Sequence, residues 1–457
     1  MTEIHVTNPA TGQIIASLPV DTPETVSQKA RQAREAQKIW AHTPLAERLR
    51  LMQVFRLKLT EQQEALARLL SEEVGKPIRQ SRNELNGFLQ RFDYFQNQVS
   101  AVLAEEEVYT EAGLSETITQ EPLGLVANIS AWNYPWLVGC NVFIPALLTG
   151  NAVLYKPSEF SSLTGLAIAR LFQEAGFPAH VFEPVIGGRE TGEALLEEDL
   201  DGLFFTGSYA TGTAIATQLA GRLLRIGMEL GGKDPLYICE DVDIAATAAA
   251  AADGAFYNNG QSCCAVERIY VHQHIYQAFV EAFVENVKGF VVGDPLDEST
   301  YIGALTRGQA ALSTLKAQVK DACAKGARLL CGGEPLAREG AFFAPTVLAD
   351  TNHGMALMRE ESFGPVIGIQ PVYQDEEAVT LMNDTPYGLT ASVYTPDRVR
   401  ARKILSQLHT GTVYWNCCDR VSPHLPWSGR GHSGLGSTLS KLGIQAFVQP
   451  KAWHWRG

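Results

Sequence analysis

From Pro23 to about Glu105, apolar residues recur at three- and four-residue spacing: Val26, Ala30 and Ala33, then Leu45, Leu49 and Met52, then Leu85, Leu89 and Phe92. That period puts one apolar stripe on each of several amphipathic helices. Gly75-Lys76-Pro77 divides the block, because glycine and proline stop a helix from continuing. Beyond this block the pattern changes. Short apolar runs at Leu125–Ile129, Ala152–Tyr155, Val181–Ile186, Leu203–Phe205 and Leu236–Cys239 alternate with helical stretches such as Thr164–Ala175 and Thr211–Ala220. Strands alternating with helices predict right-handed βαβ crossovers and a parallel sheet. A second block of the same kind begins near Gly231. An alanine-rich helix, Ile244–Phe256, leads through a polar stretch to the strand-like Arg268–Val271, and alternation continues to Gly411–Trp415. Two doubly wound domains facing each other across a cleft are expected.

Composition narrows the function classes. The chain has 457 residues, 46% hydrophobic and 19% charged, and a formal charge of −13. Such a composition builds buried cores, and the length suits about three domains. The acidic balance, without a long basic cluster, argues against nucleic acid or an anionic membrane as the partner. The most apolar stretch, Val138 to Leu154, is too short and too often interrupted to span a bilayer. Eight cysteines show no metal-binding spacing, and two pairs of them are adjacent in sequence, which suits a reducing, cytoplasmic setting without a structural metal.

Several segments carry candidate chemistry. Leu203–Ser208 runs an apolar strand into a glycine, with Gly212 following, a layout that can aim backbone N–H groups and a helix dipole at an anion. An ordinary strand-to-helix turn explains it equally well. Lys156-Pro157-Ser158-Glu159 places charges at another strand end, where a carboxylate can accept ribose hydroxyls or simply face water. Cys263 lies in the polar segment Asn259–Cys264 rather than in a core run; a small buried hydrophobe is the alternative. Glu229 stands between Met228 and Leu230, and a carboxyl among apolar neighbours acquires the raised pKa of a general base, unless it faces solvent. Asn133, between Trp132 and Tyr134-Pro135, is either an oxyanion donor or a turn-forming residue.

Together these segments resemble the aldehyde dehydrogenase superfamily. The landmarks occur in that family's order: Asn8–Gly12, Ala131–Pro135, Lys156–Glu159, Phe205–Ser208, Met228–Pro235, Gly260–Ala265, Glu360–Val366 and Pro426–Gly434. The resemblance covers almost the whole chain. It implies an α/β fold of two doubly wound, Rossmann-like domains with a small β oligomerisation arm. The NAD-binding domain is expected over 1–103 and 122–231, with 433–447 returning to it, the catalytic domain over 232–432, and the arm over 104–121 and 448–457. The amino terminus is shorter than in longer members, so one leading hairpin is expected to be missing.

The activity implied is oxidation of a small aldehyde to the acid, with NAD as hydride acceptor and NADP as an alternative. Cys263 matches the nucleophile, Glu229 the base that activates water, and Asn133 the oxyanion donor. Ile129, Trp132, Lys156, Glu159, Thr206, Gly207, Ser208, Gly212, Leu230, Gly231, Glu361 and Phe363 match the cofactor contacts. Val138, Asn141, Tyr257, Ser262, Cys264, Val421 and Trp427 match the substrate tunnel, where Tyr257 and Trp427 offer π-faces to an aliphatic, aromatic or cationic tail. No arginine is obviously placed to grip a distal carboxylate, and Arg420 is near enough in sequence to be considered. Two departures stand out: Val142 and Thr438 occupy places where many members carry the lysine and glutamate of a proposed proton path. A homodimer or homotetramer is expected. A CoA-acylating relative and a catalytically silent structural relative are the rival readings.

Overall fold

In the computed structural model, which describes residues 2–457, the helical block consists of Pro23–Ala41, Leu45–Val74 and Ile78–Leu103. The last two are separated at Gly75, whose φ of +77° ends the preceding helix. A Cβ there would sit 2.3 Å from the Ala304 carbonyl oxygen, so both the left-handed turn and the close approach require glycine. The described residues open on a hairpin, Glu3–Thr7 with Ile14–Pro19.

Two mainly parallel sheets follow. The first has the order Gly434–Leu435, Arg225–Glu229, Gly202–Thr206, Leu125–Ile129, Ala152–Lys156, Phe182–Pro184. All its pairings are parallel except at the Gly434–Leu435 edge, which lies antiparallel to Glu229 and Met228. The second has seven strands, ordered Arg328–Cys331, Thr346–Ala349, Val366–Val372, Arg268–His272, Pro235–Ile238, Thr390–Tyr394, Thr412–Trp415. Only its Arg328–Cys331 edge is antiparallel. Strands this deeply buried on both faces read as continuous apolar runs, which is why the sequence displays them.

The apolar stretch Val138–Leu154 divides into a helix, Pro135–Leu148, a turn at Gly150 (φ +96°) and the strand Ala152–Lys156. The helix packs against Ile78–Leu103 and the first sheet, and all but one of its residues are buried. That all-round burial accounts for its lack of an amphipathic period. A third, three-stranded antiparallel sheet joins Val448–Arg456, Leu114–Pro122 and Glu106–Glu111. Its Glu106–Glu111 strand is exposed along its whole length. Among the described residues no helix is long and apolar enough to cross a membrane, and no cluster of histidine, cysteine and carboxylate side chains is arranged to hold a metal ion.

Candidate active site

In the first sheet Leu125–Ile129 and Gly202–Thr206 are central neighbours, and the chain leaves them toward opposite edges. Parallel α/β sheets open a crevice at the carboxyl ends of such a pair. Ile129 and Thr206 stand at those ends, followed by Trp132 on one loop and by Gly207 and Ser208 on the other. Ser208 caps the helix Tyr209–Gln218, accepting the Thr211 N–H at 3.2 Å. Gly207 donates its N–H to the Glu229 carbonyl at 3.1 Å, fastening the two loop ends together.

The crevice has features that fit a nucleotide. Lys156 ends its strand 5% exposed, and among the described residues its ammonium meets only the Pro157 carbonyl, at 3.4 Å. Burial lowers its pKa while neighbouring Glu159 raises it. A buried cation with one weak partner is an incomplete site, and ribose hydroxyls or phosphate oxygens would complete it. Space is kept open by glycines: a Cβ on Gly212 would lie 2.7 Å from a Leu230 methyl, and one on Gly231 would lie 2.5 Å from both Glu361 carboxylate oxygens. Glu361 accepts the Gly232 N–H at 3.0 Å, and burial pushes its carboxyl up to about 7. Beside it, Glu267 accepts the N–H groups of Ser362 and Phe363 and the Lys233 ammonium, holding Phe363 at a φ of +51°. The Phe363 ring then stands edge-on to Trp132, 5.4 Å between centroids.

Cys263 follows three consecutive left-handed residues, Asn258 (φ +55°), Asn259 (φ +60°) and Gly260 (φ +69°). A Cβ on Gly260 would meet the Gly364 carbonyl oxygen at 2.3 Å. Asn259 bonds the Gly75 and Ala304 carbonyls and the Gly303 N–H, and Gln261 bonds the backbone of Thr306. Strain concentrated here is held by surrounding bonds, a pattern common at functional loops. Cys263 itself is partly exposed, while Cys264 beside it is buried. Hydrogen bonding to Cys263, then burial, pushes the Cys264 thiol far above the ordinary range.

Asn133 reaches this loop directly. The Asn133 amide, 4% exposed, donates to the Gln261 carbonyl at 3.2 Å. Its own carbonyl accepts from the Lys76 ammonium at 2.8 Å and from Asn258 at 3.1 Å. Lys76 also pairs with buried Glu84, which accepts the Trp136 N–H at the start of the next helix. Lys76 lies between the glycine and proline that break the helical block; a charged residue at that breaker is the only sequence trace of this clamp. The strand ends at Glu229, and three residues on, at Gly232, a Cβ would stand 3.0 Å from the Cys263 carbonyl oxygen. Burial pushes the Glu229 carboxyl up to about 7, opposed by a hydrogen bond from the Thr438 hydroxyl and by the charge of Arg91.

The tunnel-matching residues lie close by but are mostly buried. Asn141 faces Arg91, accepting from its Nη1 at 2.9 Å, and Ser262, Cys264 and Trp427 are nearly covered. Tyr257 accepts from Asn83 at 3.1 Å, Val138 is buried, and Val421 packs on the apolar cluster that includes Cys264. A carboxylate that sequence reading passed over stands among them. Asp419 Oδ1 accepts from Cys264 Sγ at 3.0 Å and from Ser262 Oγ at 3.3 Å, and burial pushes its carboxyl up to about 7. Arg420, its neighbour, is instead exposed and lies 3.7 Å from Asp253.

The sequence profile of the aldehyde dehydrogenase family matches residues 1–453. The chain belongs to the aldehyde dehydrogenase family. Its activity is NAD(P)-dependent aldehyde oxidation. This family member is 34% identical to a chloroplastic betaine aldehyde dehydrogenase of Amaranthus hypochondriacus, the match covering 98% of this chain and 92% of that protein. It is 33% identical to a peroxisomal aminoaldehyde dehydrogenase of Malus domestica, over 98% of this chain and 91% of the relative. Among solved structures, an NADP-dependent enzyme of E. coli superposes with a TM-score of 0.96 at 29% identity, over 100% of this chain and 95% of that one. The NAD+ complex of Staphylococcus aureus betaine aldehyde dehydrogenase superposes with a TM-score of 0.95 at 29% identity, over 100% and 92%. The α/β architecture is therefore that of aldehyde dehydrogenases.

Proposed function

We propose that Cys263 is the nucleophile, Asn133 and the Cys263 N–H the oxyanion donors, and Glu229 the base of a hydrolytic aldehyde dehydrogenase. The observation that carries this reading is the Asn133 amide bonded to a strained, partly exposed cysteine loop, against which the segment following Glu229 packs at Gly232. The Cys263 thiolate adds to the aldehyde carbon, and the two donors stabilise the tetrahedral oxyanion. Ile129, Trp132, Lys156, Glu159, Thr206–Ser208, Gly212, Leu230, Gly231, Glu361 and Phe363 would hold NAD(P)+, which when bound would supply the hydride acceptor. Glu229, poised near neutrality, then takes a proton from water, and the hydroxide adds to the thioester carbonyl, breaks the C–S bond to expel the Cys263 thiolate and leaves as part of the acid. A base so placed favours hydrolysis over transfer to CoA.

The substrate class we read is an aldehyde with a cationic amino group. Asp419 has one carboxylate oxygen without a protein partner, and a cation beside it would favour its ionised form. Tyr257 and Trp427 supply aromatic faces nearby. Two relatives named for betaine aldehyde and aminoaldehydes support the same class. NAD(P)H formation across aliphatic, aromatic, carboxylated and amino aldehydes tests it, together with Cys263→Ala and Asp419→Asn. The expected result is no oxidation by Cys263→Ala and a preference for amino aldehydes that Asp419→Asn removes. Substantial turnover by Cys263→Ala would refute the nucleophile, and an unchanged preference in Asp419→Asn would refute the subsite.

We read the domain division as 1–103, 122–231 and 433–447 against 232–432, a reading supported by the membership of the two large sheets. We read 104–121 and 448–457 as the oligomerisation arm of a cytoplasmic homodimer or homotetramer. Support comes from the exposed Val108, Tyr109 and Trp455 on that third sheet and from eight unpaired cysteines, which suit a reducing compartment.

A further inference from the structure

Gly75-Lys76-Pro77, which divides the helical block, meets both loops of the site. The Gly75 carbonyl accepts from Asn259 at 3.2 Å, and further on Gln80 Oε1 accepts the Asn258 N–H at 2.8 Å. Those two bonds hold the nucleophile loop. Lys76 turns to the other loop. Its ammonium donates to the Asn133 carbonyl at 2.8 Å, pairs with Glu84 and lies 3.9 Å from the centre of the Tyr134 ring. Glu84 uses its other carboxylate oxygen to accept the Trp136 N–H at 2.9 Å. The pair therefore grips the segment Asn133–Trp136 by its backbone at both ends and over the ring between. Neither side chain is more than 1% exposed. Taking two charges out of water is costly, so a buried ion pair is poor glue unless its remaining hydrogen bonds are met. Here those remaining bonds all go to one short loop.

We propose that Lys76, paired with Glu84, is the positioning residue of the oxyanion donor, fixing the Asn133 backbone so that the Asn133 amide is held ready for the reacting oxygen. The inference rests on the oxyanion role proposed for Asn133. One N–H of that amide donates to the Gln261 carbonyl, and the other has no protein partner among the described residues. A donor of this kind works only while it is aimed, and a displacement of about 1 Å can cost on the order of 100-fold in rate. Lys76 touches the main chain of Asn133 and no reacting atom, so it acts through that residue. Asn258 also bonds the Asn133 carbonyl, at 3.1 Å, so the loop keeps one tie when Lys76 is lost and the defect is partial.

The test is a cycle of four proteins: wild type, Lys76→Met/Glu84→Gln, Asn133→Ala and the three changes combined. Lys76→Met/Glu84→Gln removes both charges together, so neither is left buried alone, and the glutamine carbonyl keeps an acceptor for the Trp136 N–H. Stopped-flow follows the first turnover of NADH with saturating NAD+ and propionaldehyde or 3-aminopropionaldehyde, whichever wild type oxidises faster. Asn133→Ala should slow that turnover about 100–1,000-fold, and Lys76→Met/Glu84→Gln roughly tenfold. In the Asn133→Ala background the Lys76 and Glu84 changes should cost less than about twofold more, because the donor they aim is gone. Alkylation of Cys263 by iodoacetamide, read by peptide mass, forms no oxyanion and should keep its wild-type rate in Lys76→Met/Glu84→Gln. The same fold-loss in both backgrounds would overturn the proposal. So would alkylation slowed as much as turnover, which would make Lys76 a support of the whole pocket. Should the paired variant fold poorly, Glu84→Gln alone carries the same cycle, with a smaller loss that must likewise vanish in Asn133→Ala. Asn133→Ala by itself separates the two readings. If it keeps the wild-type first turnover, the oxyanion role itself fails whatever Lys76 does.

Discussion

The hydrogen bond from Thr438 to Glu229 offers the sharpest test of how this site is tuned. Thr438→Val keeps the shape of the side chain and the paired backbone bonds between Thr438 and Trp427, both 2.8 Å, and removes only the hydroxyl. Glu229 sits at about 7 with that bond in place. A hydrogen bond to a charged group contributes about 1.5–3 kcal/mol, and one pKa unit corresponds to about 1.4 kcal/mol, so its loss should raise the carboxyl by roughly one to two units. With a rise of about 1.5 units, the ionised fraction at neutral pH drops from about one half to about 3%, which slows hydrolysis about 15-fold. Steady-state kcat measured from about pH 6 to pH 10, with the NAD(P)H burst as the control for acylation, reads this directly. The defect should be large at neutrality and nearly vanish at the alkaline end. A loss of equal size at every pH would refute the reasoning, because it would show that the hydroxyl acts on something other than the ionisation of Glu229.

Two further outcomes follow from the same geometry. The folded Glu229 pKa of about 7 lies above its ordinary 4.5, so the folded chain keeps a proton that the unfolded chain has lost between those values. Its contribution is favourable below about 4.5 and is lost as pH rises through about 7, so Glu229→Gln should gain stability over wild type at pH 8, on the order of 3 kcal/mol at most, and little at pH 4.5. Thermal unfolding at the two pH values checks this; an equal difference at both would count against the raised pKa. Gly231→Ala would press a Cβ against the Glu361 carboxylate at 2.5 Å and displace it from the Gly232 N–H. The loss of that bond should raise the KM for NAD(P)+ roughly tenfold or more. An unchanged coenzyme KM would remove Glu361 from the cofactor site.

The amino-acid sequence by itself determined the elements and the family. Helix Ile244–Phe256 spans the residues its alanine-rich pattern indicates, capped by Asp243, which accepts the Ala246 N–H at 3.0 Å. Strands buried on both faces announce themselves as apolar runs, and the motif loops lie directly beside them, so both signals are local. The strand Arg225–Glu229, next to the sheet edge, and the hidden helix Pro135–Leu148 were less legible. One is mostly uncovered and short, and the other is apolar on every side and therefore carries no period. What only the tertiary structure decided is which charges share the cleft. Thr438 and Glu229 are 209 residues apart in sequence, and Arg91, Lys76 and Asp419 reach the site from different elements. No spacing rule links such positions, because their meeting is set by strand order and helix packing. The electrostatic state of a buried carboxyl then depends on which of those distant groups arrive within reach.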